Sequence, residues 1–180
     1  ETASEMLLSF ASLMRYSVNY GHTKVSLETD VEYVNDYLLL QKARYNNCLL
    51  YEFDIPEELL ECRVPKLLLQ PVIENSITHG YRAGQTLHIR VQAEHRGDTL
   101  RFTVTDDGAG IPAERLAELR ESFKRDLTNE YTAHVGLYNI QKVIRLTYGA
   151  PYGVQIESTE GQGTAVTLTI PYEVEENEEG

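Results

Sequence analysis

The chain has 180 residues and a formal net charge of −12. A single domain of this length buries about 70% of its unfolded surface, so it needs no disulfide or metal staple. The acidic balance argues against nucleic acid, which calls for clustered Lys and Arg, and against an anionic membrane surface; a small anionic ligand at a local site stays open.

The chain opens on Glu1 rather than Met and reads as a piece of something longer. Met6, Leu7, Phe10, Leu13 and Met14 recur at helical steps and predict a helix to about residue 20, stopped by Asn19-Tyr20-Gly21. Ser26, with Thr29 or Asp30 nearby, is an N-terminal signal, and Val31, Val34, Tyr37 and Leu38 carry a second helix to Tyr45. Stripes of this kind belong more often to helix–helix or dimer contacts than to cofactor sites. Cys48 and Cys62 form neither a CxxC pair nor a metal spacing, so two reduced thiols of a cytoplasmic protein are expected. Leu49, Tyr51 and Phe53 alternate with polar neighbours as a strand, which Pro56 stops.

Pro65 predicts the start of a central helix, and Pro71 a kink or a fresh start within it. In that helix Leu69, Ile73 and Ile77 form a buried stripe. Asn75 and His79 share another face, with Glu74 about 100° round from Asn75. A solvated face explains these three polar residues as well as a ligand does. Leu87, Ile89 and Val91, then Leu100, Phe102 and Val104, alternate around Arg96-Gly97-Asp98 as an antiparallel hairpin. The second strand runs into Asp106-Asp-Gly108-Ala-Gly110-Ile-Pro112, after which a helix is expected to about Phe123. Residues 120–134 are polar and without period, and read as a lid-like loop. A helix over 135–146 and a last hairpin over 154–158 and 164–170 follow, joined through Gly161-Gln-Gly163. The tail from Glu173 on is acidic and is expected to be disordered. No apolar run spans a membrane and no signal peptide is present. After residue 45 the order is strand, helix, hairpin, helix, loop, helix, hairpin: a two-layer α+β sandwich with a mostly antiparallel sheet.

Glu74-Asn75 on a helix, Asp106-Asp-Gly108-Ala-Gly110, Val135-Gly136-Leu137-Tyr138-Asn139 and Glu160-Gly161-Gln-Gly163-Thr164 are modest alone. In this order and spacing they resemble the asparagine box, the two glycine boxes and the closing strand of the ATPases shared by histidine kinases, gyrase, Hsp90-type chaperones and MutL-type repair proteins. Leu13-Met-Arg-Tyr-Ser17, the stretch from Tyr37 to Tyr45 and that from Val64 to Asn75 look like sensor histidine kinases of the LytS/YesM type. The resemblance implies a Bergerat-type fold, with residues 1–45 as the end of a helical dimerisation region, 46–172 as the ATP-binding catalytic domain and 173–180 as a tail. Two departures stand out. No Pro-His-Phe phosphoacceptor motif is present, and His22 does not fit one, so self-labelling is not expected. The second glycine box keeps only Gly136.

The resemblance also implies roles. Asp106 would accept a hydrogen bond from the adenine amino group and so reject guanine; its competing reading is a turn cap. Gly108 and Gly110 would let backbone approach the base. Asn75 would bind Mg²⁺. His79 would contact phosphate or order Asn75, a packed histidine being the alternative. The N–H groups of Gly136, Leu137 and Tyr138 would hold phosphate, and Thr164 would reach the adenine pocket. Lys124, Arg125 and Lys142 are candidate phosphate cations, though each alone fits a solvated charge. Glu74 is the candidate general base. A cytoplasmic fragment of a bacterial membrane protein is implied, with ATP and Mg²⁺ as ligands and a response regulator and a second copy as partners. No nucleic acid and no direct membrane contact are expected. Competing readings are an ATP hydrolase or clamp of the same fold, and a dimeric interaction module that ignores nucleotide.

Overall fold

The computed structural model describes residues 11, 23–45, 48–124 and 135–174. The helix expected over residues 1–20 lies outside them except for Ala11, as do His22, Arg125 and the tail from residue 175 on. Strand β1 (Lys24–Ser26) leads directly into helix α1 (Leu27–Arg44). Ser26 caps that helix as its position suggests: its Oγ accepts the Thr29 N–H at 3.2 Å, and Lys42 and Arg44 complement the dipole in the last turn. Strand β2 (Leu49–Asp54) and a single 3₁₀ turn (Glu57–Leu59) precede β3 (Arg63–Pro65). β1 and β3 form a small antiparallel ribbon.

Pro65 therefore ends a strand instead of opening the central helix. That helix, α2 (Gln70–Asn75), begins afresh beside Pro71, where the missing N–H costs nothing. It is followed by one π turn (Ser76–Gly80). Strands β4 (Leu87–Arg96) and β5 (Thr99–Asp106) make the expected hairpin around Gly97, whose φ of +58° suits glycine. Helices α3 (Ala113–Ser122) and α4 (Val135–Tyr148) and strands β6 (Gly153–Thr159) and β7 (Gly163–Pro171) complete the chain. Arg120, at the edge of the expected lid, is instead anchored in α3: its guanidinium donates to the Ile156 carbonyl at 2.8 and 3.0 Å.

The five-stranded sheet runs β2-β4-β5-β7-β6. Its ladders are antiparallel except β2–β4, which is parallel. One face is buried, carrying Ile89, Val91, Phe102, Val104, Val166 and Leu168; the other is polar and wet. Leu38 of α1, Ile73 of α2, Leu119 of α3 and Ile144 of α4 enter the same core. This is the two-layer α+β arrangement read from the sequence. Two boundaries differ from the expected ones. Leu27, Val34 and Leu38 are fully buried in that shared core, so α1 packs as part of the domain body. Glu173 and Val174, read as tail, are held: the Glu173 carbonyl accepts the Arg63 N–H at 2.7 Å, and Val174 bridges to Cys62.

Candidate functional site

Register brings three polar side chains into a row across the C-terminal end of the sheet. Asp106 on β5 lies opposite Thr164 on β7, which lies opposite Ser158 on β6. Asp106 is only 8% exposed. Burial pushes its carboxyl above the usual carboxylate range, against the Ser76 hydroxyl and the Gly108 and Thr164 N–H groups, which favour the ionised form. The Gly108 N–H reaches Oδ1 at 3.0 Å. Ser158 Oγ accepts the Ile111 N–H at 2.8 Å, lies 2.7 Å from the Gly163 carbonyl and lies 2.9 Å from Thr164 Oγ1. A carbonyl only accepts, so the single Ser158 proton goes to Gly163 and Thr164 donates to Ser158. Thr164 Oγ1 then keeps acceptor capacity of its own, on the residue opposite Asp106 in the ladder.

The first glycine box is shaped by contact with Gly80. A Cβ on Gly108 would lie 2.4 Å from the Gly80 Cα, and one on Gly110 would lie 2.0 Å from the Thr159 carbonyl oxygen. The Ala109 N–H donates to Gly80 O at 2.9 Å, and the Gly161 N–H to Ala109 O at 2.7 Å. Gly80 has no room itself, since a Cβ there would sit 3.1 Å from Asp106 Oδ1. Gly108 and Gly110 are thus needed for the fit of backbone on backbone. Ser76 and Gly80 complete the surroundings of Asp106, and sequence reasoning passed over both. Their spacing of four, beside Glu74-Asn75, was the available signal.

The π turn shifts the phase of the helix. Asn75 is half-buried at the end of α2, and His79, in the π turn that follows, is exposed. Glu74 is exposed, and its charge contributes to raising the Tyr33 and Tyr37 hydroxyls of α1, Tyr37 to about 12, with burial the larger cause. Gly136 is exposed at the start of α4, where an added Cβ would meet Pro71 O at 3.7 Å, so the second glycine box abuts the start of α2. Leu137 is a core side chain and Tyr138 is half-buried, so any phosphate contact there is by backbone N–H. Lys124 pairs with Glu121 at 3.3 Å and Lys142 is half-buried on α4. A cavity of about 340 Å³ opens on the wet face of the sheet, between Leu50, His88, Thr105 and Gln162. Of the candidate residues it touches Asp106 alone, whose carboxyl is buried on the opposite face.

The raised pKa of Asp106 has a consequence for stability. Its contribution is most favourable below the ordinary carboxylate value and is lost as pH rises through the raised value, because the native state holds the proton longer. Asp106→Asn removes that loss. Urea titrations across pH 4 to 8 are expected to show the variant gaining on the native chain as pH rises; a constant difference would refute the buried-charge account.

Residues 64–174 match the model of the "Histidine kinase-, DNA gyrase B-, and HSP90-like ATPase" family. The chain belongs to that family. Within it the chain is of the histidine-kinase type, as residues 1–49 match the "Histidine kinase" family model. It is 32% identical over 169 residues to sensor histidine kinase YesM of Bacillus subtilis (strain 168), covering 93% of this chain and 27% of that one. The catalytic domain of histidine kinase ThkA, in a nucleotide-free form, superposes with a TM-score of 0.63 at 21% identity, covering 85% of this chain and 98% of that one. ThkA in complex with the response regulator protein TrrA gives 0.59 at 17% identity, covering 94% and 49%. These two likenesses establish the fold. The chain thus spans about a quarter of the length of YesM.

Proposed function

We propose that this chain is the ATP-binding catalytic region of a two-component sensor histidine kinase. Its parent would move the γ-phosphoryl of ATP to a histidine outside the catalytic domain, and from there to an aspartate of a response regulator. The carrying observation is Asp106, a carboxylate kept buried beside closely packed glycine backbone and opposite Thr164 in the sheet. A buried charge is costly unless it has partners to meet. An adenine amino group would add one more donor to those that Ser76, Gly108 and Thr164 already give Asp106. Gly136 at the start of α4 places N–H groups for phosphate next to the helix that bears Asn75.

For Mg²⁺ the residues fit a ligand set borrowed largely from substrate. Among the described residues no group of three or more His, Cys, Asp or Glu side chains could hold a metal. Mg²⁺ commonly takes one or two protein oxygens and completes its shell with phosphate and water. Asn75 would give that oxygen, and the ion would neutralise phosphate charge. Glu74, exposed and next in sequence, would orient the incoming histidine or accept a proton from it. Pairing with a response regulator, dimerisation through the upstream helices and anchoring of the bacterial parent in a membrane belong to this proposal. No described helix is long and apolar enough to cross a membrane.

Calorimetric titration with ATP, with and without Mg²⁺, tests the reading, followed by phosphotransfer to a supplied histidine domain. ATP is expected to bind more tightly with Mg²⁺, and Asn75→Ala to remove about tenfold of that gain, or roughly 1.4 kcal/mol. A folded chain that ignores ATP would sink the proposal. Steady ATP turnover with no histidine acceptor would replace it with the hydrolase reading.

A further inference from the structure

Asp30, in the first turn of α1, is an acidic side chain with no exposure at all, and both its oxygens reach a segment outside its own helix. Its Oδ1 accepts the Leu67 N–H at 2.9 Å and its Oδ2 accepts the Leu69 N–H at 3.1 Å. Leu67 holds φ of +62°, a strained value for a residue with a branched side chain. Leu69 is the N-cap position of α2 and lends no side-chain cap; the Asp30 carboxylate takes the N–H of this N-cap residue, the bond that the N3 side chain makes in a capping box. Five and six residues on from Leu69 come Glu74 and Asn75. Tyr33 and Tyr37 of the same helix also feel the charge of Glu74, with burial the larger cause of their raised hydroxyls. The main chain repeats the link: Leu27 N–H donates to Cys62 O at 2.8 Å and Lys66 N–H to Thr23 O at 3.0 Å. Asp30 lies in the stretch matching the histidine kinase model, while Leu67 and Leu69 lie in the stretch matching the ATPase model.

We propose that Asp30 is a positioning residue that ties α1 to the nucleotide-binding helix, so that α1 and ATP act on one another through the strained 67–69 segment. With Asp30 engaged, residues 67–69 are held and α2 starts at Gln70. With α1 displaced, Leu67 is released from its strained conformation, the cap is lost and Asn75 moves off its place beside the glycine boxes. Linkage makes this reciprocal: whatever α1 does to ATP affinity, ATP does to the seating of α1. The inference rests on the nucleotide reading of Asn75 and Asp106 above.

The test is amide hydrogen exchange of the native chain with and without Mg²⁺-ATP, alongside ATP titration of Asp30→Asn, Asp30→Glu and Asp106→Asn. ATP is expected to slow exchange at Leu67 and Leu69 at least threefold, although neither belongs to the expected ATP site. Asp30→Asn should lower ATP affinity about tenfold and abolish that slowing at saturating ATP, and Asp30→Glu should recover part of both. A residue that only stabilises the fold would leave the affinity of the folded variant and the ATP-dependent slowing unchanged, and that result overturns the proposal. Should Asp30→Asn not fold, native exchange decides alone: ATP bound with Leu67 and Leu69 unaffected overturns it. Failure of the nucleotide reading looks different, because then the native chain does not bind ATP, or Asp106→Asn binds as the native chain does.

Discussion

Asp106→Asn is expected to weaken ATP binding about 10- to 100-fold while leaving the fold intact. The native carboxylate accepts from the Gly108 and Thr164 N–H groups and the Ser76 hydroxyl, and as an acceptor-only group it has capacity left for one more donor. Asparagine fills the same volume but carries one acceptor and one donor group. Its oxygen goes to the fixed Gly108 N–H, so its NH₂ is left facing the adenine amino group, donor against donor. A hydrogen bond to a charged group is worth roughly 1.5–3 kcal/mol, which sets the range of the loss. GTP serves as the internal control, because its carbonyl at that position is repelled by Asp106 and accepted by an amide. The ATP-over-GTP preference should therefore narrow by more than the ATP affinity falls. Equal ATP affinity in the two proteins would remove Asp106 from the site.

Gly163→Ala is expected to cost more stability than any other glycine substitution in the last hairpin. At φ of +100° an alanine is strained, and its Cβ would lie 1.9 Å from the Asp106 carbonyl oxygen. That oxygen belongs to the β5–β7 ladder and cannot retreat without opening it. Backbone strain of roughly 1–3 kcal/mol adds to overpacking of roughly 1–3 kcal/mol. Against a total stability of about 5–15 kcal/mol this leaves a marginal domain. Gly161→Ala is the matched control: its φ of +81° is similar, yet its Cβ would meet nothing within 4 Å. Melting temperatures of the two variants separate contact from strain, and equal melting would remove the close approach.

The hairpins, Ser26 as a cap and the Leu69, Ile73, Ile77 stripe were legible because alternation, capping chemistry and four-residue steps are local signals. Asp106 and the glycines were legible through their spacing against a known family. Other parts had no local trace. β1 and β3 are three residues each, too short to show a period. Pro65 beside apolar residues looks the same whether it ends a strand or starts a helix. A π turn leaves no mark in five residues. The parallel partnership of β2 with β4 depends on the helix that crosses between them, not on either strand. Ser76 and Asp30 matter through partners 30 and 37 residues away, which no window along the chain can contain.

The place of β7 in the sheet bears on how this domain is made. β7 is the last strand of this sheet to be synthesised, yet it lies between β5 and β6, and the residues just beyond it close on the β1–β3 ribbon. Until it is synthesised, β5 has one side unpaired, with Phe102 and Val104 on the uncovered apolar face. Such an edge is a template for pairing with other chains. Closure of the sheet is thus a late, long-range step, and domains of this kind fold as units once their sequence is complete. A ribosome stalled before Gly163 would hold an aggregation-prone chain, and a stop codon a few residues earlier would remove the whole domain and not merely its last strand.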